Sequence, residues 1–356
     1  MQCKPRIPSF EILRILAMLM IVIGHANQWG YFYREPAVFS TANITNSLAF
    51  ILFSVFAGNT GVNCFVLISS WFLASNDKLK FDRILKLWIQ IAFYSFFIAL
   101  IFACIGKINY KETLHYITPV YSDIYWFMTI YVGFLLIAPF LTKFLNCLEK
   151  KDFRVLFICL SLLCLSIYKD IPYGNIFIEN AAHSIVLWCF LFAVAFYLRK
   201  FGTPKIIDAN KGKLLLGLVT IQWIGGILIN VLLKTPTIAG CFSCSCNGLT
   251  FFTSILLFII IKDIKCKDGS AIRFLVRIAP YTLGVYMIHE HPLVRAWIWG
   301  DVFDMSLAFN SWWYIPYLIG VCLAIYTICS FIDWIRSKLF HITHLSKISL
   351  NFTKLL

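Results

Sequence analysis

A chain of 356 residues that is 60% hydrophobic, 17% aromatic and only 13% charged, with a mean hydropathy of +0.80, is not a soluble globular domain; such domains carry charge on about a quarter of their residues. The formal net charge of +14 would point to nucleic acid only if it were gathered on one surface, and it is instead spread between the apolar blocks in a topological pattern. What remains is an all-α polytopic membrane protein, with no stretch left over for a soluble domain of useful size.

In chain order, the apolar blocks lie near 10–28, 47–74, 84–106, 124–142, 153–168, 183–198, 214–233, 248–264, 274–293 and 312–335. A span needs about 20 residues to cross roughly 30 Å of hydrocarbon, so the blocks predict a bundle of about ten transmembrane helices. The first block is followed by "NQWGYFYREP" and by no small-residue cleavage site, so it is expected to be a span and not a signal peptide. The second is too long for one straight crossing and contains "GNTGVN", Gly58 to Asn63, where a break or kink within one helix is expected.

With a cytoplasmic N-terminus, 24 of the 31 Lys and Arg fall in inner segments and 6 in outer ones, with Arg14 inside a span. One miscounted helix would scramble that alternation, so the positive-inside rule favours ten spans with both termini cytoplasmic. The expected organisation is a transmembrane domain over 1–340 and a basic cytoplasmic tail over 341–356, in a multi-pass plasma-membrane protein of bacterial type.

The first span, "FEILRILAMLMIVIGHANQWG", carries Arg14 and, eleven residues later, His25. Eleven residues make three turns plus roughly 20°, so both project from one stripe, about 16 Å apart along the axis. An Arg well inside a span costs about 2.5–3.5 kcal/mol on insertion scales and usually faces a bundle interior. Snorkelling of Arg14 and a carbonyl partner for His25 would explain each alone; the shared stripe argues against that. Glu11, three residues before Arg14, is placed to neutralise it in part. An Arg is a permanent forked clamp for phosphate, and a desolvated His favours its neutral, basic form, so one face is suited to hold a phosphorylated donor below and activate a nucleophile above.

Arg14 and His25 reproduce the R-x10-H signature of the acyltransferase-3 family of membrane acyltransferases, many of which O-acetylate bacterial surface polysaccharides, and further stretches resemble that family in the same order. "SSWFLAS" from Ser69 is similar to its SGxFL element, with Ser70 where Gly is usual. "RILK" is similar to its RxxR element, with Lys86 replacing the second Arg and so losing bidentate recognition. "YWFMTIYVGFLLIAPFL" resembles the WFL segment, and "YTLGVYMIHEHPLV" the late helix with its GIYLIH-like run.

The resemblance implies transfer of an acetyl or other short acyl group from cytoplasmic acyl-CoA, most simply acetyl-CoA, to a hydroxyl of a cell-surface or lipid-linked glycan. It further implies that Arg14, Arg83 and Lys86 hold the donor, that His25 is the general base or a transient acyl carrier, and that Ser69, Trp126 and His289 line the acceptor side. An exporter of modified polysaccharide using the same polar path is the alternative. No SGNH-type domain, which some relatives carry, follows in this sequence, so transfer is expected to be completed by the membrane domain or a partner. Membrane lipid and the glycan are the expected partners; a homo-oligomer or envelope-assembly partner is left open, and nucleic acid is not expected.

Among the other polar groups, Asp123 at the outer edge of the fourth span is a candidate to orient or polarise His25, with an exposed loop aspartate as the alternative. Glu35 has the same ambiguity. In "HEH", His289 and His291 diverge by about 200° on a helix and cannot chelate one ion unless the helix has ended, so no metal is expected. "CFSCSC", from Cys241 to Cys246, is read as a local disulfide or a Cys-rich loop. His115 and His183 receive no role.

Overall fold

A computed structural model describes residues 6–32, 58–117, 124–165, 184–233, 244–309 and 311–345, and among them every regular element is helical. In order these are α1 (Pro8–Asn27), α2 (Asn59–Leu73), α3 (Phe81–Cys104), α4 (Tyr110–Ile117), α5 (Trp126–Asn146), α6 (Lys150–Cys164) and α7 (Ile185–Phe201). There follow α8 (Lys205–Leu233), α9 (Gly248–Lys262), α10 (Ser270–Ile278), α11 (Thr282–His289), α12 (Pro292–Trp297), α13 (Ser306–Phe309) and α14 (Tyr314–Ile342).

Each of the ten apolar blocks contains helix, but only six helical segments among the described residues are long and apolar enough to cross a bilayer. These are Pro8–Gly30, Phe81–Cys104, Trp126–Asn146, Lys205–Leu228, Ser270–His289 and Tyr314–Ile342. Helices α2, α6 and α9 have 15 residues and α7 has 17, short of the roughly 20 that one crossing needs. Helix length among the described residues thus marks six candidate crossings of the ten that block counting predicts. Helix α14 runs to Ile342, just past the expected end of the membrane domain, and 346–356 lie outside the described residues.

The first helix is the axis of the fold. Pro8 opens it, where a missing N–H loses nothing, and Glu11 sits in its first turn at the positive end of the helix dipole. It packs against α2, α9, α10, α11 and α14. Accordingly 56% of its apolar window is buried, against 11–39% for the other five candidate spans. A helix surrounded on so many sides has no lipid-facing stripe wide enough to release its polar side chains, which explains why Arg14 and His25 must be met by protein.

Helix α2 approaches α1 most closely, through Gly61, where any Cβ would overlap the Ala17 carbonyl oxygen. It runs antiparallel to α1: the Gly58 N–H donates to the Met20 carbonyl at 2.6 Å, and Phe72 at the far end meets Phe10. Gly58, at φ +59°, caps the start of α2 in a conformation that suits glycine. The break expected within "GNTGVN" is therefore a helix start, which places the beginning of α2 beside the middle of α1 and accounts for its 15 residues. The rest of the expected second block, 47–57, lies outside the described residues.

Helix α14 is also antiparallel to α1, with the Tyr314 hydroxyl donating to Asn27 Oδ1 at 2.8 Å. Near its other end, Asp333 is fully buried and completely partnered. It accepts from the Tyr94 hydroxyl at 2.5 Å, from Arg336 Nε at 2.7 Å and Nη2 at 3.2 Å, and from Gln90 at 3.3 Å. One carboxylate thus ties α3 to α14, and α11 docks on it through Gly284, whose missing side chain leaves the space that Asp333 fills.

Gly284→Ala forces a Cβ into that carboxylate, an overpacking worth about 1–3 kcal/mol. We expect the thermal unfolding midpoint of the purified protein to fall by several degrees. Gly320→Ala, on α14 with open space around it, is expected to leave the midpoint unchanged; equal effects would refute a tight α11–α14 contact.

Candidate active site

His25 lies in the last turn of α1, and α11 ends so that its final residue, His289, faces it. His25 Nδ1 is 2.9 Å from His289 Nε2. The other nitrogen of His289, Nδ1, is 2.6 Å from the Val285 carbonyl oxygen, one turn earlier in the same helix. A carbonyl can only accept, which assigns the His289 proton to Nδ1 and leaves Nε2 as an acceptor. His25 must then donate from Nδ1, and its own Nε2 is left with a free lone pair. A backbone carbonyl two residues removed in the relay thereby decides which face of His25 is basic.

Glu290 follows directly, as the cap of α11. Its Oε2 is 3.0 Å from His25 Nδ1, close enough for an ion pair, yet it receives no directed hydrogen bond, because the N–H of that nitrogen is aimed at His289. Its Oε1 accepts from Arg295 Nη1 at 2.7 Å, and the Arg295 guanidinium lies 3.9 Å over the Trp29 ring. The carboxylate is 3% exposed and the arrangement runs Trp29, Arg295, Glu290, His25. It keeps a negative charge beside the imidazole without fixing that charge into a second hydrogen bond.

Arg14, on the same stripe, makes its ion pair to Glu11 at 2.9 Å and keeps 27% of its side chain exposed. Between it and His25 the stripe continues through Met18 and Ile21, and these line a narrow cavity with His25, Trp126 and Tyr286. Three of the expected site residues, His25, His289 and Trp126, are thus brought together around one point. Ser69 is elsewhere: its hydroxyl accepts from Tyr131 at 3.3 Å and links α2 to α5, while Ser70 beside it is wholly buried. Arg83 and Lys86 are exposed in the first turns of α3, and neither forms an ion pair among the described residues. Asp123, Glu35 and His183 lie outside the described residues.

Helix α11 does end between the two histidines of "HEH", but His291 turns away: its Nδ1 accepts from the Leu293 N–H at 3.3 Å and its ring packs on Tyr116 and Tyr125. Among the described residues, those able to offer three ligand atoms together, within 4.8 Å of one another, are instead His25, His289 and Glu290. The sulfurs of Cys244 and Cys246 are 3.2 Å apart, too far for a disulfide between these two, and Cys241 is outside the described residues.

In the described structure the carboxylate beside His25 is Glu290, with Arg295 behind it. Their signal in the sequence was the pair Glu290 and Arg295, opposite charges at i and i+5 across a Pro in an apolar block. Asp333 was also passed over, because with Arg336 it stood at the edge of the last block and looked like ordinary flanking charge.

Comparison with known proteins bears on the whole of this arrangement. No curated protein matches the chain, and no solved structure does. A family model described as an acyltransferase domain matches residues 7–334, a stretch that begins just before α1 and ends beside Asp333. With a match over nearly its full length, the chain belongs to the acyltransferase-3 family of membrane acyltransferases.

Proposed function

We propose that this membrane acyltransferase moves an acetyl group from cytoplasmic acetyl-CoA to a hydroxyl of a cell-surface or lipid-linked glycan, in a plasma membrane of bacterial type. The observation that carries the proposal is the oriented pair of His25 and His289, set on one helical stripe with Arg14. The distribution of Lys and Arg supports the direction of transfer, since it puts the Arg14 end of α1 toward the cytoplasm.

Arg14 holds donor phosphate. Glu11 occupies only Nη1 of the guanidinium, which leaves further N–H groups for an anion. His25 Nε2 takes the proton of the acceptor hydroxyl as its oxygen attacks the thioester carbonyl. The C–S bond then breaks, the ester remains on the glycan, and the imidazolium returns its proton to the departing thiolate. While His25 is charged, Glu290 lies 3.0 Å from its Nδ1, and the interaction strengthens just when the charge appears. Glu290 is a positioning and charge-balancing residue and does not touch substrate. His289 holds the tautomer.

A general base contributes about 10²–10⁴-fold. His25→Ala is expected to lower both glycan O-acetylation and acetyl-CoA turnover by at least about 100-fold, in protein that still reaches the membrane. Arg14→Ala should chiefly raise the KM for acetyl-CoA. Unchanged acylation in both variants would overturn the proposal, and glycan that is acetylated but retained inside would favour export.

Glu290→Gln keeps the shape of the side chain and removes its charge. We expect kcat to fall about 10- to 100-fold with KM for acetyl-CoA little changed, the pattern of an interaction made mainly in the transition state, and Glu290→Asp to restore part of it. A rise in KM alone would mean that Glu290 serves binding.

The reaction as proposed needs no metal, and the lone pair on His289 Nε2 is engaged by the hydrogen bond from His25. Turnover is therefore expected to survive exhaustive chelation; activity lost to a chelator and restored by zinc would reassign His25, His289 and Glu290 as ligands.

A further inference from the structure

The cavity beside His25 has a volume of about 10 Å³ and is walled by Met18, Ile21, Val62, Phe65 and Leu283, with Trp126 and Tyr286 near the imidazole. Its walls on α1 are the residues between Arg14 and His25 on the same stripe, so it lies on the Arg14 side of the base. Val62 and Phe65 come from α2, pressed onto α1 through Gly61, and Leu283 comes from α11 beside Gly284, pressed onto Asp333. Val62 is 6% exposed, Phe65 9% and Met18 2%, so these walls of the space are packed side chains.

We propose that this apolar slot is the acyl-chain subsite and that its size selects the shortest acyl groups. The inference rests on the acyltransfer proposed above and adds what decides the chain length. The alkyl end of a thioester lies in the carbonyl plane, to the side of the line along which a hydroxyl held by His25 attacks, and the slot offers it an apolar surface next to the base. A space of 10 Å³ admits about one water-sized group. That suits a methyl, and each further methylene must displace Leu283, Val62 or Phe65 from positions set by the Gly61 and Gly284 contacts. A missing or extra methylene in a packed apolar pocket is discriminated about 10- to 200-fold, so acetyl is favoured over butyryl by at least about tenfold.

The test compares acetyl-, butyryl- and hexanoyl-CoA as donors to the full-length protein in membranes, reading the mass of the acyl group on the glycan and the thiol released. Wild type is expected to prefer acetyl, Leu283→Ala and Val62→Ala to bring butyryl within a few-fold of acetyl, and Val62→Phe to suppress every donor. Either small variant suffices if the other does not reach the membrane. A wild-type protein that uses hexanoyl as well as acetyl overturns the inference. So does a ratio unmoved in both small variants while acetyl transfer persists, which would make the slot a packing void. No thioester turned over by wild type at all would instead defeat the acyltransfer proposal, and the subsite with it.

Discussion

The bond from His25 to His289 joins the most buried of the six candidate spans to the end of α11, and much of the surrounding structure follows from it. An imidazole enclosed by α2, α11 and the start of α5 has little water to satisfy it, so each nitrogen needs a defined partner or a substrate. His289 supplies one, and is itself held by the Val285 carbonyl. The chain of dependence then runs outward through packing. α11 can present His289 only if it lies close to both α1 and α14, and the Gly284 contact with Asp333 sets the second of those distances.

Asp333 and Glu290 are both buried carboxylates paired with Arg, yet their settings imply different uses. Asp333 accepts from three side chains on two helices and has no unmet acceptor of its own to offer. Such a group fixes register, and breaking a pair of this kind is strongly destabilising. Glu290 has one oxygen committed to Arg295 and the other, Oε2, without a hydrogen bond but 3.0 Å from an ionisable nitrogen. An incompletely satisfied carboxylate in a buried site lowers stability. On the proposed reading its charge offsets the positive charge that His25 gains 3.0 Å away, with no new hydrogen bond.

How legible this was in the sequence differs by feature. The spacing of Arg14 and His25 follows from helical geometry alone, and the continuous helix Pro8–Asn27 carries both as that geometry requires. Hydrophobic blocks located the long helices and missed the short α4 and α13, and composition does not reveal where α2 begins. Gly58 marks that start, and its role depends on a contact with Met20, 38 residues away in sequence, that no local pattern encodes. The approach of His289 to His25 bridges 264 positions. Family resemblance pointed to His289 as an acceptor-side residue, whereas its tautomer role and the part played by Glu290 depend on how α11 terminates, which becomes visible only in three dimensions.

The two ends of the α1 stripe differ in a way that bears on turnover. At the His25 end, aromatic rings, the Glu290–Arg295 pair and the α2 contact enclose the imidazole, and His289 holds it in one tautomer. At the Arg14 end, the guanidinium is partly exposed and tethered by a single side chain one turn away. A rigid, water-excluding centre favours thioester transfer over hydrolysis. A donor that must arrive and leave in every cycle needs the opposite, a clamp that engages charge without trapping it, because uniform tight binding would lower KM and leave kcat no higher. On the proposed reading one unbroken helix meets both demands by keeping Arg14 and His25 about 16 Å apart, so that binding energy gained at one end positions the acyl group at the other.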